Sequence, residues 1–145
     1  MKIRPYRRGD FQGIMEVWIA TEMGRPDRGD DEATVEHSVS MGGSMLVMTD
    51  GMEGDERIIG TSWMTFDGRR IHLHHFGILP EYQGRGLSKS LLAESLKFVK
   101  KKGYQVKLEV HRTNSVAVKI YEKAGFRYLG DYDVYIIRDV QSIDT

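Results

Sequence analysis

The stretch "LPEYQGRGLSKSLL", Leu79–Leu92, sets two glycines around Arg85 directly before a run with helical spacing. Glycine reaches left-handed backbone without steric cost, and the first turn of any helix leaves amides that have no partner within it. Amides of a glycine-rich turn and of a helix start converge, so together they form a nest for an anion such as phosphate. Arg85 adds a fixed cation. Two familiar phosphate signatures do not fit. A P-loop needs GxxxxGK[ST], which the chain lacks, and the dinucleotide pattern GxGxxG would need a third glycine where Lys89 stands.

Outward from this stretch, the chain alternates between helical and extended patterns. Met1 to Arg4 has strand character, and Asp10 is placed to cap a helix with the apolar stripe Phe11, Ile14, Met15 and Trp18. After a loop rich in Gly and Asp, Asp30 or Asp31 opens a weaker helix through Val35 and Val39, ended by Gly42 and Gly43. "SMLVMTD", "RIIGTSWMTF" and "RRIHLHHFGI" read as three antiparallel strands, the last two joined by the Asp67-Gly68 hairpin signal. A helix is predicted from about Gly84 to Lys102, with Leu91, Leu92, Ser95, Leu96 and Val99 on one face and Gly103 as its stop. "QVKLEV" is a fifth strand, Asn114 to Ala124 a fourth helix, and "FRYLGDYDVYII" supplies the last strands.

In "RIHLHHFGILP", Ile71 and Leu73 alternate with His72 and His74, but the next apolar pair, Phe76 and Ile78, is shifted by one residue. A bulge between His74 and Gly77 returns both sets to one face. His72 and His74 then share the opposite face. No third ligand stands at a spacing useful for a metal, so none is expected.

The 145 residues suffice for one domain, 1–145, with a real core. With 40% hydrophobic and 29% charged residues the composition is that of a soluble globular protein. No apolar run approaches the roughly 20 residues of a membrane span, and the Met1 end has no secretory h-region. The absence of cysteine removes disulfides, thiolate metal sites and a cysteine nucleophile, and a cytoplasmic location is the default expectation. The net charge of zero hides an asymmetry: residues 1–66 carry 7 Lys/Arg against 12 Asp/Glu, whereas residues 67–145 carry 14 against 9. Basic residues are not massed as on a nucleic-acid surface, and no nucleic-acid or membrane partner is expected.

Ile78-x-Pro80-x-x-Gln83-Gly84-Arg85-Gly86-Leu87 resembles the acetyl-CoA pyrophosphate loop of the GNAT (Gcn5-related) N-acetyltransferase superfamily. "NSVAVKIYEKAGF", Asn114–Phe126, is similar to that family's Asn-x-x-Ala-x-x-x-Tyr-Glu-Lys-x-Gly-Phe segment. One departure is Ser88, where the family commonly has Gly or Ala. The resemblance implies an α/β (α+β) fold: a central mixed, mostly antiparallel sheet of about six to seven strands flanked by about four helices. It implies acetyl-CoA as cosubstrate, with its pyrophosphate on the amides from Gly84 through Arg85, Gly86 and Leu87 to Ser88, flanked by Gln83 and Arg85. The resemblance further implies that Asn114 lies beside the pantetheine arm and that the free amides of the bulged strand (Phe76, Gly77, Ile78) bind pantetheine and polarise the thioester; Lys89 is either a phosphate contact or a solvated helix lysine. In the resembled family the tyrosine at the position of Tyr121 protonates the leaving thiolate, which implies that role here.

Three residues compete as the base that deprotonates the acceptor amine. His72 and His74 resemble the paired histidines of serotonin N-acetyltransferase, which relay protons through water. "LEVHRTN" resembles a segment of the ribosomal-protein alanine N-acetyltransferases, whose glutamate base corresponds to Glu109. The acceptor site is expected from the first two helices with the acidic loop Asp27 to Glu36, and from a final hairpin near Tyr132 to Tyr135. The expected activity is acetyl transfer to a primary amine of a small molecule or peptide. The alternatives are a protein N-terminal acetyltransferase and a CoA-binding module without catalysis. The acceptor and the oligomeric state stay open, a homodimer being one option.

Overall fold

The computed structural model describes residues 1–144. In chain order the elements are β1 (Lys2–Pro5), α1 (Phe11–Ala20), α2 (Glu32–Ser40), β2 (Ser44–Asp50), β3 (Arg57–Phe66), β4 (Ile71–Ile78), α3 (Leu87–Lys102), β5 (Val106–Leu108) and α4 (Ser115–Lys123). The strands form one sheet in sequence order, β1 to β4 antiparallel and β5 parallel to β4. The mixed sheet with four helices is the expected class. Among the described residues it has five strands, fewer than the six to seven anticipated, because "FRYLGDYDVYII" joins no ladder.

Hydrophobic spacing explains how the helices dock. Ile14, Val17 and Trp18 of α1 are buried against β3 and β4 together with Val35 of α2, Ile59 and Trp63. Met64, Ile71, Leu73 and Leu92 anchor a second cluster that takes in Leu96 and Val99 of α3, Ile120 and Tyr121 of α4, and Phe126. Buried Thr61, Ser62 and Ser95 have paired hydroxyls, as low-dielectric surroundings require. The Trp18 indole donates to Thr61 Oγ1 at 2.9 Å, the Trp63 indole to Ser38 Oγ at 2.8 Å, and the Ser62 and Ser95 hydroxyls bond at 2.6 Å, tying β3 to α3.

The caps distribute differently from the sequence expectation. Asp10 stands at the α1 N-cap position, but its carboxylate does not cap. It takes both guanidinium nitrogens of Arg4, at 2.8 and 3.0 Å, and the Arg7 amide. Burial by itself would raise the Asp10 carboxyl, yet the bonds from Arg4 and Arg7 outweigh it and hold it below the usual carboxylate range. A charge-assisted pair with an arginine is stronger than a single amide bond, which is why the cap lost. Asp31, not Asp30, caps α2 by accepting from the Thr34 amide, and Asn114 caps α4 from the Ala117 amide.

The bulge lies where the shifted apolar pair places it. Thr61 is opposite Gly77 and Trp63 opposite His74, so Ser62 faces the two residues His75 and Phe76. His75 is the inserted residue, at φ +45°. Thr61 holds the distortion by donating its hydroxyl to the His75 carbonyl at 2.7 Å.

Candidate active site

The β4–β5 ladder is short. Ile71, His72 and Leu73 pair with Val106, Lys107 and Leu108, and beyond them the strands diverge. That leaves one edge of β4 from His74 to Ile78 without a strand partner, and a cleft of about 840 Å³ opens there. This volume lies within the range typical of small-molecule sites. Both strands, α3 and α4 contribute to its walls.

The mouth of the cleft is the glycine-rich stretch that leads into α3. Gly84 and Gly86 are at φ +80° and +74°, and a Cβ on either would meet no described atom. Their left-handed backbone, not crowding, therefore demands glycine. Gly86 is the N-cap of α3, and no side chain caps this helix end. The amides of its first turn are left for an outside acceptor, beside Ser88 and Lys89, which line the cleft. An open, uncapped, amide-rich helix start beside a lysine fits a diphosphate. Pro80 and Tyr82 brace the approach: Pro80–Tyr82 form a 3-10 turn, and Tyr82 donates to Asp50 at 2.7 Å.

Of the residues singled out from sequence, His72, His74, Phe76, Gly77, Ile78, Gln83, Gly84, Gly86, Leu87, Ser88, Glu109, Asn114 and Tyr121 all line this one cleft. Arg85 does not. Its guanidinium folds back over the Tyr82 ring, 5.1 Å from the centroid, and reaches the Glu81 carbonyl at 3.4 Å. Gln83 lines the cleft, but its side-chain amide is occupied in donating to the Ile78 carbonyl at 2.9 Å. It locks the end of β4 to the loop.

Tyr121 projects from α4 against Phe76, ring centroids 5.9 Å apart, and Phe126 at 5.7 Å. Burial against these rings pushes its phenol up to about 12. The hydroxyl keeps its proton at neutral pH. Across the cleft the His72 and His74 rings stack at 5.7 Å, and His74 Nε2 bonds Thr65 Oγ1 at 2.8 Å. Burial, reinforced by neighbouring His75 and His72, lowers His74 to about 4, so it stands neutral at neutral pH. Glu109 follows the last residue of β5 and is exposed on the cleft wall together with His111, whose Nδ1 bonds Thr113 Oγ1 at 2.7 Å.

Two residues that sequence reasoning missed complete the walls. His75 is wedged against Trp18 and Trp63, centroids 4.6 and 5.2 Å away, with Nε2 at 3.1 Å from Asp30 Oδ2. Neither of its buried ring nitrogens makes an aligned hydrogen bond. Its signal was the period slip itself, since the inserted residue of a bulge leaves the alternation. Met23, in the turn after α1, packs where a Cβ on Gly77 would approach its Cε to 2.8 Å.

The expected acceptor walls are corrected. None of the residues from Asp27 to Glu36 lines the cleft, and all of their carboxylates except that of Glu32 are engaged elsewhere: Asp27 with Arg25, Asp30 with the Arg25 amide and His75, Asp31 with Thr34, Glu36 with the Tyr6 hydroxyl. No hairpin forms near Tyr132 to Tyr135, and both tyrosines are exposed outside the cleft.

Comparison with known families settles what this architecture is. Residues 12–126 match the profile of the Acetyltransferase (GNAT) family. The chain belongs to that family. Its fold is similar to that of AAC(6')-Iy, solved with the bisubstrate analogue CoA-S-monomethyl-acetylneamine, at 18% identity and TM-score 0.74 over 94% of this chain and 97% of that one. The ribosomal-protein-S18-alanine N-acetyltransferase of Escherichia coli is similar at 19% identity and TM-score 0.70, over 87% and 77% of the two chains. A GNAT family protein of Streptococcus pneumoniae is similar at 24% identity and TM-score 0.71, over 95% and 98%. This GNAT chain is accordingly an acyltransferase, and no helix among its described residues is long and apolar enough to cross a membrane.

Proposed function

We propose that this GNAT protein moves an acetyl group from acetyl-CoA to a primary amine of a small molecule or peptide by direct attack of the amine on the thioester. One observation carries the reading: an uncapped amide nest, an unpaired length of β4 and a protonated tyrosine all open on one cleft.

The division of labour follows from the chemistry of each group. The α3 amides and Lys89 hold the diphosphate, and the helix dipole adds to their field. The free edge of β4 between Phe76 and Ile78 offers amides to the pantetheine arm and to the thioester oxygen, a polarising role like that of an oxyanion hole. Acetyl-CoA, when bound, supplies the activated acyl group. The acceptor arrives as an ammonium and must lose a proton before its nitrogen is a nucleophile. His74, neutral and anchored to Thr65, faces the cleft beside His72, and the pair offers a path for that proton to solvent. Glu109 is the competing acceptor on the opposite wall. Tyr121 then gives its proton to the departing thiolate. Direct transfer needs no covalent acyl-enzyme and agrees with a chain without cysteine.

The test is titration calorimetry with CoA followed by a screen of amines with thiol release as readout. Micromolar to submillimolar CoA binding and acetylation of at least one amine are expected. A chain that takes up no CoA at millimolar concentration sinks the reading, and one that binds CoA but releases none with any amine is a binding module.

A further inference from the structure

His75 is an expensive residue for its position. Its backbone is left-handed, at φ +45°, a state that strains any side chain with a Cβ. Its ring is wedged between Trp18 and Trp63, and both ring nitrogens lie buried without an aligned hydrogen bond. Buried polar atoms that lack such a bond are rare, because they keep the cost of leaving water. Phenylalanine would fill the same wedge without that cost. A position that breaks local preference with no return in stability is where a functional duty is expected.

The group that the imidazole faces is Asp30. Nε2 stands 3.1 Å from Asp30 Oδ2, and the two side chains are 16% and 15% exposed. Asp30 closes the connection between α1 and α2: its carboxylate accepts from the Arg25 amide at 2.8 Å and its own amide donates to the Arg25 carbonyl at 3.3 Å, so Arg25–Asp30 is one compact turn. The Arg25 guanidinium goes to Asp27 at 3.4 Å. Among the described residues this turn has no hydrogen bond or ion pair to the sheet other than the pair of Asp30 with His75. The start of the same connection presses on the cleft. The Met23 amide donates to the Trp18 carbonyl at 2.9 Å, and a Cβ on Gly24 would come within 2.7 Å of the Trp18 side chain. A Cβ on Gly77 would come within 2.8 Å of Met23 Cε, so Met23 covers the part of β4 that β5 leaves unpaired.

We propose that His75 is a positioning residue acting through Asp30: the pair latches the connection Thr21–Asp30 to the β4 bulge and keeps Met23 over Gly77, where it limits the size of amine admitted to that end of the cleft. The size limit rests on the acetyl-transfer reading, whereas the latch does not. The bulge explains why the latch residue is this one. An inserted residue leaves the alternation of its strand, which lets His75 reach Asp30 while His74 bonds Thr65 and Phe76 packs on Tyr121.

Two substitutions release the latch and leave no cavity. His75→Phe keeps a ring between the indoles and removes both nitrogens, and Asp30→Asn keeps an acceptor for the Arg25 amide and removes the charge. The exposed Arg28–Gly29 bond reports the latch without catalysis. Trypsin, with the fragments read by mass spectrometry, is expected to cut there about fivefold faster or more in both variants than in wild type. The thermal midpoint of His75→Phe is expected to equal or exceed that of wild type, because the buried nitrogens are gone. Among primary amines graded from ethylamine to 4-phenylbenzylamine, the ratio of kcat/KM for the largest accepted to the smallest is expected to rise about fivefold or more, with the CoA Kd changed by less than about twofold. Equal cleavage of wild type and both variants would overturn the proposal. So would faster cleavage with an unchanged amine ratio, or a lowered midpoint of His75→Phe accompanied by weaker CoA binding, the mark of a merely structural role. If the wild type takes up no CoA, the acetyl-transfer reading fails by itself and the cleavage rates still decide the latch.

Discussion

Tyr121 and His74 show how burial as the leading cause holds a phenol and an imidazole in opposite relation to their protons. Each is surrounded by rings, and each is driven toward its neutral form. For a phenol at about 12 neutrality means keeping the proton, and for an imidazole at about 4 it means lacking one. Replacing Tyr121 by Phe keeps the packing and removes the donor. Turnover is expected to fall about 100-fold or more while the CoA dissociation constant stays within about twofold, as read from steady-state kinetics and calorimetry. His74 carries a stability consequence. The unfolded chain binds a proton at this side chain below pH 6.5 and the folded chain only near pH 4, so unfolding takes up protons in that window. Folded stability therefore falls as pH drops from 6.5 to 4, by up to about 3 kcal/mol from this group. Denaturant melts of wild type and His74→Gln across that range are expected to converge as the pH is lowered.

At the scale of elements, the β4 bulge connects core and chemistry. Thr61 is its keystone, accepting from the buried Trp18 indole and donating to the His75 carbonyl. Thr61→Val preserves shape but strands a buried N–H and a carbonyl, which is expected to cost about 2–4 kcal/mol in urea unfolding. Catalytic efficiency should drop alongside, since the bulge aims the free β4 edge. The helices and β1 to β5 were readable because hydrophobic periods of 3.6 and 2 leave marks that local sequence shows, whereas the strand pattern of "FRYLGDYDVYII" joins no ladder. Even the bulge was readable, from the slip between Leu73 and Phe76. The true start of α3 at Leu87 instead of Gly84, and the end of β5 at Leu108, were not: the first depends on two left-handed glycines, the second on where β4 turns away from its neighbour.

For the molecule as a whole, the cleft is a place where the sheet comes apart. β4 with α3 forms one wall and the chain past β5 with α4 the other, and few groups bridge them. A ligand spanning the two adds its binding free energy to global stability. Acetyl-CoA at 100 times its dissociation constant is expected to stabilise the fold by about 2.7 kcal/mol. That corresponds to a rise of several degrees in Tm by scanning calorimetry. An unchanged Tm at that dose would contradict binding across both walls. Among the acids between Asp27 and Glu36, Asp31 caps α2, Glu36 accepts from the Tyr6 hydroxyl and Asp30 pairs with His75, so part of the first half's negative charge serves folding.

Local information sufficed for what is local. The glycine pair, the capping residues and the linked motifs around Arg85 and Tyr121 pointed to the anion nest, the helices and the family, because each depends on residues a few positions apart. Tertiary structure alone decided which candidates meet: it brought His72, His74, Glu109 and Tyr121 to one cleft, turned Arg85 back onto Tyr82, inserted His75 between two tryptophans and left the segment past α4 out of the sheet. Those outcomes depend on where β4 and β5 separate, a packing competition among distant segments that no short window of sequence contains.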